Sequence, residues 1–249
     1  MSVVLPSQVY FEGASLVDPI GSYPATFTRI RWVRMDPTQF SAFGYYIVDD
    51  PSSFNQLDYY YIGSYQDQGE PWRLAIYLAI QGNPAFEPIF DGGNGAYYNG
   101  PTAIDTREGW TMLAVVLDEA ALTVQLFDKQ GSNLRSTSVL TMPDQLNRTD
   151  PIARYTLGGS GIDQGPYDWI GWMGPCYEWS RKLSPAEIAA QALQIAPIDR
   201  TGLLHFFPGL DQPFTKNAAN GTTGSQYGST GGVAATNPSI PWTRSGMLM

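Results

Sequence analysis

The segment Asp91–Gly100, with the sequence DGGNGAYYNG, carries the residue types that bind carbohydrate. The C–H faces of sugar rings stack on tyrosine rings, and amide groups hydrogen-bond to sugar hydroxyls. Glycine and asparagine favour turns and loops. We therefore predict a glycine-rich loop that presents Tyr97, Tyr98, Asn94 and Asn99 to a glycan or to a protein partner.

An earlier run of tyrosines, Tyr59–Tyr61, lies near another predicted rim of the fold, and Tyr60 joins the binding candidates. Aromatic residues in β-proteins more often pack in the core or across neighbouring strands. On that ground four of the tryptophans are assigned to packing: Trp32, Trp110, Trp169 and Trp179.

The carboxylates do not show the spacing of a catalytic pair. Asp49–Asp50 and Asp118–Glu119 are each adjacent in sequence, so their side chains would diverge on a strand, and both pairs fit turns. Glu178 lies in a predicted strand, and no carboxylate stands two residues away on either side. We therefore expect no enzymatic activity.

The chain has a single histidine and a single cysteine, and neither belongs to a recognisable motif. His205, in the apolar run LLHFF, is expected to be packed and hydrogen-bonded. Cys176 is expected to be a small buried apolar residue. The sequence contains no Gly-x-Ser-x-Gly elbow, no phosphate-binding loop and no zinc-type ligand spacing.

The composition is that of a turn-rich all-β protein. Glycine (26) and proline (19) interrupt the 249-residue chain often, and 13% of the residues are aromatic. The formal charge of −9 disfavours nucleic acid and anionic lipid as partners. The beginning, MSVVLPSQVYFEG, lacks the features of a signal peptide, and no run approaches the roughly 20 apolar residues of a membrane helix. We expect synthesis in the cytoplasm and no membrane insertion.

Short alternating segments predict the individual strands. In Thr26–Arg34, TFTRIRWVR, Ile30 and Trp32 are expected to face the core and the arginines to face water. Trp72–Ile80 is predicted to be a strand. Trp110–Leu117 and Leu122–Asp128, joined by an acidic turn, predict a hairpin: their spacing suits two paired strands. Leu203–Phe207 is a further strand.

The stretch from Tyr155 to Gln191 shows the most specific order of elements. A strand ends in Gly158–Gly159, an aromatic strand runs from Trp169 to Ser180, and a helix begins at Ser184 with a capping box completed by Glu187. This order resembles the closing segment of laminin G-like, concanavalin A-like jelly rolls, and the resemblance covers about residues 25–195.

The resemblance implies an all-β, concanavalin A-like two-sheet antiparallel jelly-roll sandwich with one short helix on its C-terminal side. Residues 1–196 would form the sandwich, with residues 1–24 as an irregular or edge-strand lead-in. Residues 197–249 would form a last strand and an extended arm rich in glycine and threonine.

The resemblance also implies a metal ion, and it names a residue pattern by which the enzymes of this fold are recognised. Many domains of this family hold Ca²⁺ at the rim through oxygen ligands, and the candidates here are Asp91 and Asn94. No other cofactor is expected. The laminarinase-like glycoside hydrolases of this fold carry a Glu-x-Asp-x-Glu triplet, which is absent from the sequence.

The function that fits these features is that of a non-enzymatic structural or adhesive protein of an assembled particle. A phage virion decoration or tail-associated protein would be made in the cytoplasm and end on the virion surface. Its partners would be other subunits or copies of itself, with surface glycans as an accompanying ligand. The alternatives are a free glycan-binding lectin-like module and, with less support, a glycoside hydrolase.

Overall fold

The computed structural model describes residues 8–12, 15–21, 24–35, 44–49, 58–66, 73–80, 96–99, 109–142, 153–157, 170–208, 218–219, 225–227 and 233–235. Side chains are described for residues 24–34, 109–142, 171–208 and 218–219.

Over these residues the chain forms sixteen strands and one helix. The elements in chain order are β1 (Gln8–Glu12), β2 (Ser15–Gly21), β3 (Thr26–Met35), β4 (Gly44–Asp49), β5 (Asp58–Gln66), β6 (Arg73–Ile80), β7 (Ala96–Asn99), β8 (Thr111–Asp118), β9 (Thr123–Gln130), β10 (Asn133–Ser136), β11 (Leu140–Thr141), β12 (Ala153–Leu157), β13 (Ile170–Trp179), α1 (Pro185–Gln191), β14 (Leu203–Phe207), β15 (Ser225–Tyr227) and β16 (Val233–Ala235).

The strands form three antiparallel sheets. The largest has the order β10-β9-β8-β3-β13-β1-β16, with β11 beside β9 and β14 beside β13. A second sheet has the order β12-β2-β15, and a third has the order β4-β5-β6-β7. The predicted strands β3, β6 and β14 and the predicted β8–β9 hairpin are all present. This architecture confirms the all-β prediction.

Strand β3 lies between β8 and β13 in the large sheet, and residues 27–33 are all buried, so both of its faces are covered. Ile30 and Trp32 are buried, as predicted. The prediction that the arginines of this strand face water is wrong: Arg29 is 1% exposed and Arg31 is 0% exposed. Successive side chains of a strand point to opposite faces, so a strand that is covered on both faces buries all of them, whatever their polarity.

One face of the large sheet is covered by α1 and the chain around it. Leu183, Ile188 and Ala192 pack in the same cluster as Trp32 and Trp179. A stacked row of rings, in which Tyr177 lies 5.6 Å from Trp179 and 5.1 Å from Phe206 between ring centroids, extends this layer. Burial of a large apolar side chain contributes about 1.5–3 kcal/mol, so this layer is a major part of the stability.

The first and the last described strands, β1 and β16, are both paired within the large sheet. The prediction of an irregular or edge-strand lead-in is wrong for β1, which has β13 on one side and β16 on the other. After Pro197, β14, β15 and β16 pair with β13, β2 and β1 of the same chain. The division of the chain at residue 196 stays a prediction.

The start of α1 is built as its sequence predicts. The Glu187 backbone N–H donates to the Ser184 hydroxyl oxygen at 3.3 Å, and the Ser184 backbone N–H donates to the Glu187 carboxylate at 2.7 Å. Pro185 occupies the first turn, where a missing N–H costs nothing. The hydrogen bond from the Ser184 backbone lowers the pKa of Glu187 below its usual value.

We expect Ser184→Ala to lower the free energy of unfolding by about 1 kcal/mol, because the Glu187 backbone N–H loses the hydroxyl oxygen that accepts its hydrogen bond. For a domain of this size that is a drop of about 2–4 °C in melting temperature. Differential scanning calorimetry measures it, with Ser184→Thr, which keeps the hydroxyl, as the matched control. Equal melting temperatures for the alanine and threonine variants would contradict a stabilising cap.

Candidate functional site

The four-stranded sheet places three tyrosines from three different strands in one row. Tyr61 on β5 is the register partner of Tyr77 on β6, and Tyr77 is the register partner of Tyr97 on β7. Residues directly opposite each other on antiparallel strands lie on the same face of the sheet. The row therefore runs across the strands on a single face.

Further tyrosines lie on that same face. Tyr65 pairs with Tyr45 on β4 and with Arg73 on β6, and Tyr59 pairs with Ala79. Six of the 15 tyrosines of the chain share this face. We call it the tyrosine face, and its tyrosines are Tyr45, Tyr59, Tyr61, Tyr65, Tyr77 and Tyr97.

The opposite face of the same sheet is aliphatic on β6. Its register positions carry Leu74, Ile76, Leu78 and Ile80 of β6 and Ile62 of β5, together with Tyr46, Tyr60 and Tyr98. We call it the aliphatic face. Alternation of this kind is typical of a sheet with one side against a core and the other toward water.

The predicted binding residues do not all lie on the same face of the sheet. Tyr97 and Asn99 lie on the tyrosine face, whereas Tyr98 and Tyr60 lie at register positions of the aliphatic face. The prediction of a loop is wrong for residues 96–99, because pairing with β6 makes them the strand β7. Asn94 lies outside the described residues, as does Asp91.

Sequence reasoning missed Tyr61 and Tyr77 as members of the candidate site. The sequence of β6, RLAIYLAI, contains the pattern that identifies the face of Tyr77. In it Leu74, Ile76, Leu78 and Ile80 alternate with Arg73, Ala75, Tyr77 and Ala79. A strict period of two separates an aliphatic face from a mixed one. The partner strands of the tyrosine row cannot be read from β6 alone, since they depend on the register.

A second polar cluster lies inside the large sheet. Glu178 on β13 is the register partner of both Arg29 on β3 and His205 on β14. The Nη2 of Arg29 donates to Oε1 of Glu178 at 3.2 Å, and its Nε lies 3.1 Å from Oε2. The Nδ1 of His205 lies 3.3 Å from Oε2. All three side chains are at most 1% exposed.

The charges of this cluster set the ionisation of Glu178. Burial by itself raises the pKa of Glu178, but Arg29, His205 and Arg31 outweigh it and lower the pKa to about 2. The carboxylate is therefore charged at neutral pH, and it is enclosed by cations and shut off from solvent. It links β13 to both β3 and β14.

The other two reactive residues are packed as predicted. His205 is buried against Glu178, and its ring is stacked on Phe207 at 6.3 Å between centroids. Cys176 is buried and has a free thiol, which donates to the Gly174 carbonyl oxygen at 3.4 Å. The tryptophans that the structure describes with side chains and that were assigned to packing are buried: Trp32, Trp110 and Trp179.

Within the part of the chain that the structure describes, no three His, Cys, Asp or Glu side chains converge as metal ligands would. The candidate calcium ligands Asp91 and Asn94 lie outside that part, so the calcium site stays a prediction. No helix in the described ranges combines the length and the apolar character needed to cross a bilayer.

Comparison with known proteins supports the predicted fold but assigns the chain to no family. Neither a protein-family model nor a curated protein sequence matches the chain. A structure from Bacteroides ovatus, described as a "putative carbohydrate binding protein", is similar over 96% of this chain with a TM-score of 0.63 and 14% identity. The chain spans 62% of that structure's length.

Two further solved structures show the same likeness over shorter parts of this chain. The enzymatically active domain of tailspike protein 2 from bacteriophage CBA120 is similar over 77% of this chain, with a TM-score of 0.52 and 12% identity, and this chain spans 28% of it. The LG1-3 region of the laminin alpha2 chain is similar over 69% of this chain, with a TM-score of 0.47, 10% identity and 31% of its own length covered. The first two likenesses support the predicted fold, an all-β jelly-roll sandwich.

We expect the ion cluster to make the protein sensitive to acid. Because the folded-state pKa of Glu178 is about 2 and its ordinary value is 4.5, the stability that its charge contributes is complete above about pH 4.5 and is lost as the pH falls toward 2. The shift corresponds to about 3 kcal/mol. In Glu178→Gln this acid-dependent loss should be absent, and at neutral pH the variant should be less stable by about 3–5 kcal/mol, because Arg29 stays buried without its counter-charge.

Urea unfolding followed by tryptophan fluorescence, at neutral pH and through the acid range, measures both effects. Asp199→Asn is the matched control, since Asp199 is an exposed carboxylate that also pairs with an arginine. If Glu178→Gln and the wild-type chain lose stability in parallel as the pH falls, the charge of Glu178 is not the source of the acid-sensitive stability.

Proposed function

We propose that the chain is a non-enzymatic carbohydrate-binding module. The observation that carries this proposal is the tyrosine face of the sheet β4-β5-β6-β7, which has six tyrosines at its register positions, against three on the opposite face. Tyrosine is amphipathic: its ring offers an apolar surface and its hydroxyl a hydrogen bond. A sugar ring presents the same combination of C–H faces and hydroxyls.

The rest of the tyrosine face has a chemistry that suits the same ligand. Asn99 and Arg73 are hydrogen-bonding residues on this face, and both lie at register positions beside tyrosines or small residues. The register positions of this face carry no aspartate and no glutamate, although the chain has 23 acidic residues. A hydroxyl-rich or acidic ligand fits such a face, and a cationic ligand does not.

The comparison with the Bacteroides ovatus structure supports this choice, because its printed description names carbohydrate and the likeness extends over 96% of this chain. The identity of 14% limits that support to the fold. The tyrosine face therefore remains the main argument.

The proposal that this module is not an enzyme rests on where its carboxylates lie. Hydrolysis of a glycosidic bond generally needs two carboxyl groups facing each other across the bond. The described register positions of the tyrosine face carry no carboxylate, and Glu178 is enclosed by Arg29 and His205. Sugar bound on this face would accordingly be held and released unchanged.

A second candidate function is that of a structural or adhesive component of a phage particle, in which this module would contact cell-surface glycans from the virion surface. The likeness to a domain of a bacteriophage tailspike, over 77% of this chain, favours it. Such a component would assemble with other subunits or with copies of itself. This role is compatible with carbohydrate binding and adds a partner to it.

We expect the labelled full-length chain to bind a subset of structures on a glycan array in a dose-dependent way. The bound oligosaccharide should be recovered intact after long incubation, as measured by chromatography. Glu178→Gln, refolded and checked by circular dichroism, is expected to keep the same glycan selectivity, since its side chain is not part of the face.

Absence of binding to every neutral and acidic glycan on the array would refute the proposed function. Release of shortened sugars would refute its non-enzymatic part. Light scattering of the intact chain addresses the second candidate: a discrete oligomer supports a role as a subunit, and a strict monomer at high concentration argues against self-assembly.

A further inference from the structure

We propose that the large sheet carries a second glycan site, where Arg34 and Trp172 bind an acidic sugar through its carboxylate. The site lies at the C-terminal end of β3, on the strand pair β3–β13. It rests on the proposed function, and it adds to that function a chemical class of ligand and a site outside the tyrosine face.

Two cations and two tryptophans share one face of the large sheet at this end. Arg34 lies two residues beyond Trp32 on β3, and Trp172 on β13 is the register partner of Arg34. Trp32 is the register partner of Met112 on β8, which in turn pairs with Lys129 on β9. Side chains two residues apart on a strand, and those directly opposite on paired strands, lie on the same face. We call Arg34, Trp172, Trp32 and Lys129 the cationic patch.

Both cations of the patch contact tryptophan rings instead of carboxylates. The Cζ of Arg34 lies 5.5 Å from the ring centroid of Trp172, and the Nζ of Lys129 lies 5.6 Å from that of Trp32. Lys129 also donates to the Gly131 carbonyl oxygen. Within the part of the chain that the structure describes, neither Arg34 nor Lys129 forms an ion pair, whereas other cations of that part do: Arg29, Arg135, Arg181 and Lys182.

The two cations are buried deeply enough for the missing counter-charge to matter. Lys129 is 5% exposed, and burial lowers the pKa of Lys129 below its ordinary value. The Nε of Arg34 is buried and has no acceptor among the described residues. Lysine and arginine are rarely buried without a partner, and a buried donor without an acceptor is unfavourable. An anion at the patch would supply both the counter-charge and the acceptor.

A ligand can reach the patch at Arg34 and Trp172, because both side chains are half-buried rather than enclosed. The segment that leads into α1 is attached at the other end of β3, where the Leu183 backbone N–H donates to the Thr28 hydroxyl oxygen at 2.9 Å. Thr28 and Arg34 are six residues apart on the strand, which is about 20 Å. This attachment therefore lies well away from the proposed site.

The chemistry of the two accessible residues selects an acidic sugar. The planar guanidinium of Arg34 has paired N–H donors that match the two oxygens of a carboxylate. The indole of Trp172 has an apolar surface that suits the C–H face of a sugar ring. An inorganic anion would use only the first feature, and a neutral sugar would use only the second. Lys129 lies about 12 Å from Arg34 between Cα atoms and adds positive potential.

Isothermal titration of the full-length chain tests the site with oligosaccharides that contain a uronic acid, beside the same oligosaccharides with the carboxyl group reduced to an alcohol. We expect the acidic form to bind about tenfold or more tightly than the reduced form. Arg34→Gln should abolish this difference, and Trp172→Ala should weaken the binding of the acidic form. Arg200→Gln removes the same charge from an exposed arginine, and it should keep the difference.

Melting temperature separates a binding role of Arg34 from a structural one. Because Arg34 has no counter-charge to lose, Arg34→Gln should keep the melting temperature within about 2 °C of the wild-type value. A larger drop would show that Arg34 serves the stability of the fold. Arg34→Lys keeps the charge but lacks the paired donors, so it is the second variant, and a reduced preference for the acidic form is expected.

The outcomes distinguish the site from the proposed function. If the wild-type chain binds no glycan, the proposed function fails and the site with it. If the chain binds glycans but Arg34→Gln keeps the preference for the acidic form, the function stands and the site is refuted. Loss of that preference in Arg73→Gln alone would place the carboxylate on the tyrosine face instead. Equal affinity of the wild-type chain for the acidic and reduced forms, or for carboxylated and sulfated glycans on the array, refutes the carboxylate as the recognised group.

Discussion

The contact between Glu178 and its two register partners, Arg29 and His205, is the constraint on which the large sheet depends. A carboxylate and a guanidinium that are both excluded from water are stable only while they face each other. Any slip in the pairing of β3, β13 and β14 by one residue would separate these charges and move them to the other face. The ion contact thus specifies a single register for the strands at the centre of the fold, at a position where apolar residues alone would allow several.

Register is also what creates the candidate binding site. The tyrosine row is made by Tyr61, Tyr77 and Tyr97, which come from three strands and approach one another only through backbone pairing. A sheet face is a rigid base for such residues, since their positions are fixed by hydrogen bonds on both sides rather than by the conformation of a loop. Sugar stacking depends on the relative placement of several rings, and a paired sheet provides that placement before the ligand arrives.

Local features could be predicted from the sequence, and non-local ones could not. The capping box of Ser184 and Glu187 lies within four residues and was predicted in full. The burial of Arg29 could not be predicted, because its partner Glu178 is 149 residues away. Tyr98 and Tyr97 are adjacent in sequence and were predicted as one loop site, but β7 places them on opposite faces. Which of the two shares a face with Tyr61 depends on the register, which no single segment encodes.

The most direct test of the account is a crystal structure of the full-length chain with a bound oligosaccharide. The account predicts electron density for sugar rings on the tyrosine face, the side of the sheet that carries Tyr61, Tyr77 and Tyr97. Sugar found instead on the residues 91–95, or on the side of the sheet that carries Tyr60 and Tyr98, would contradict it.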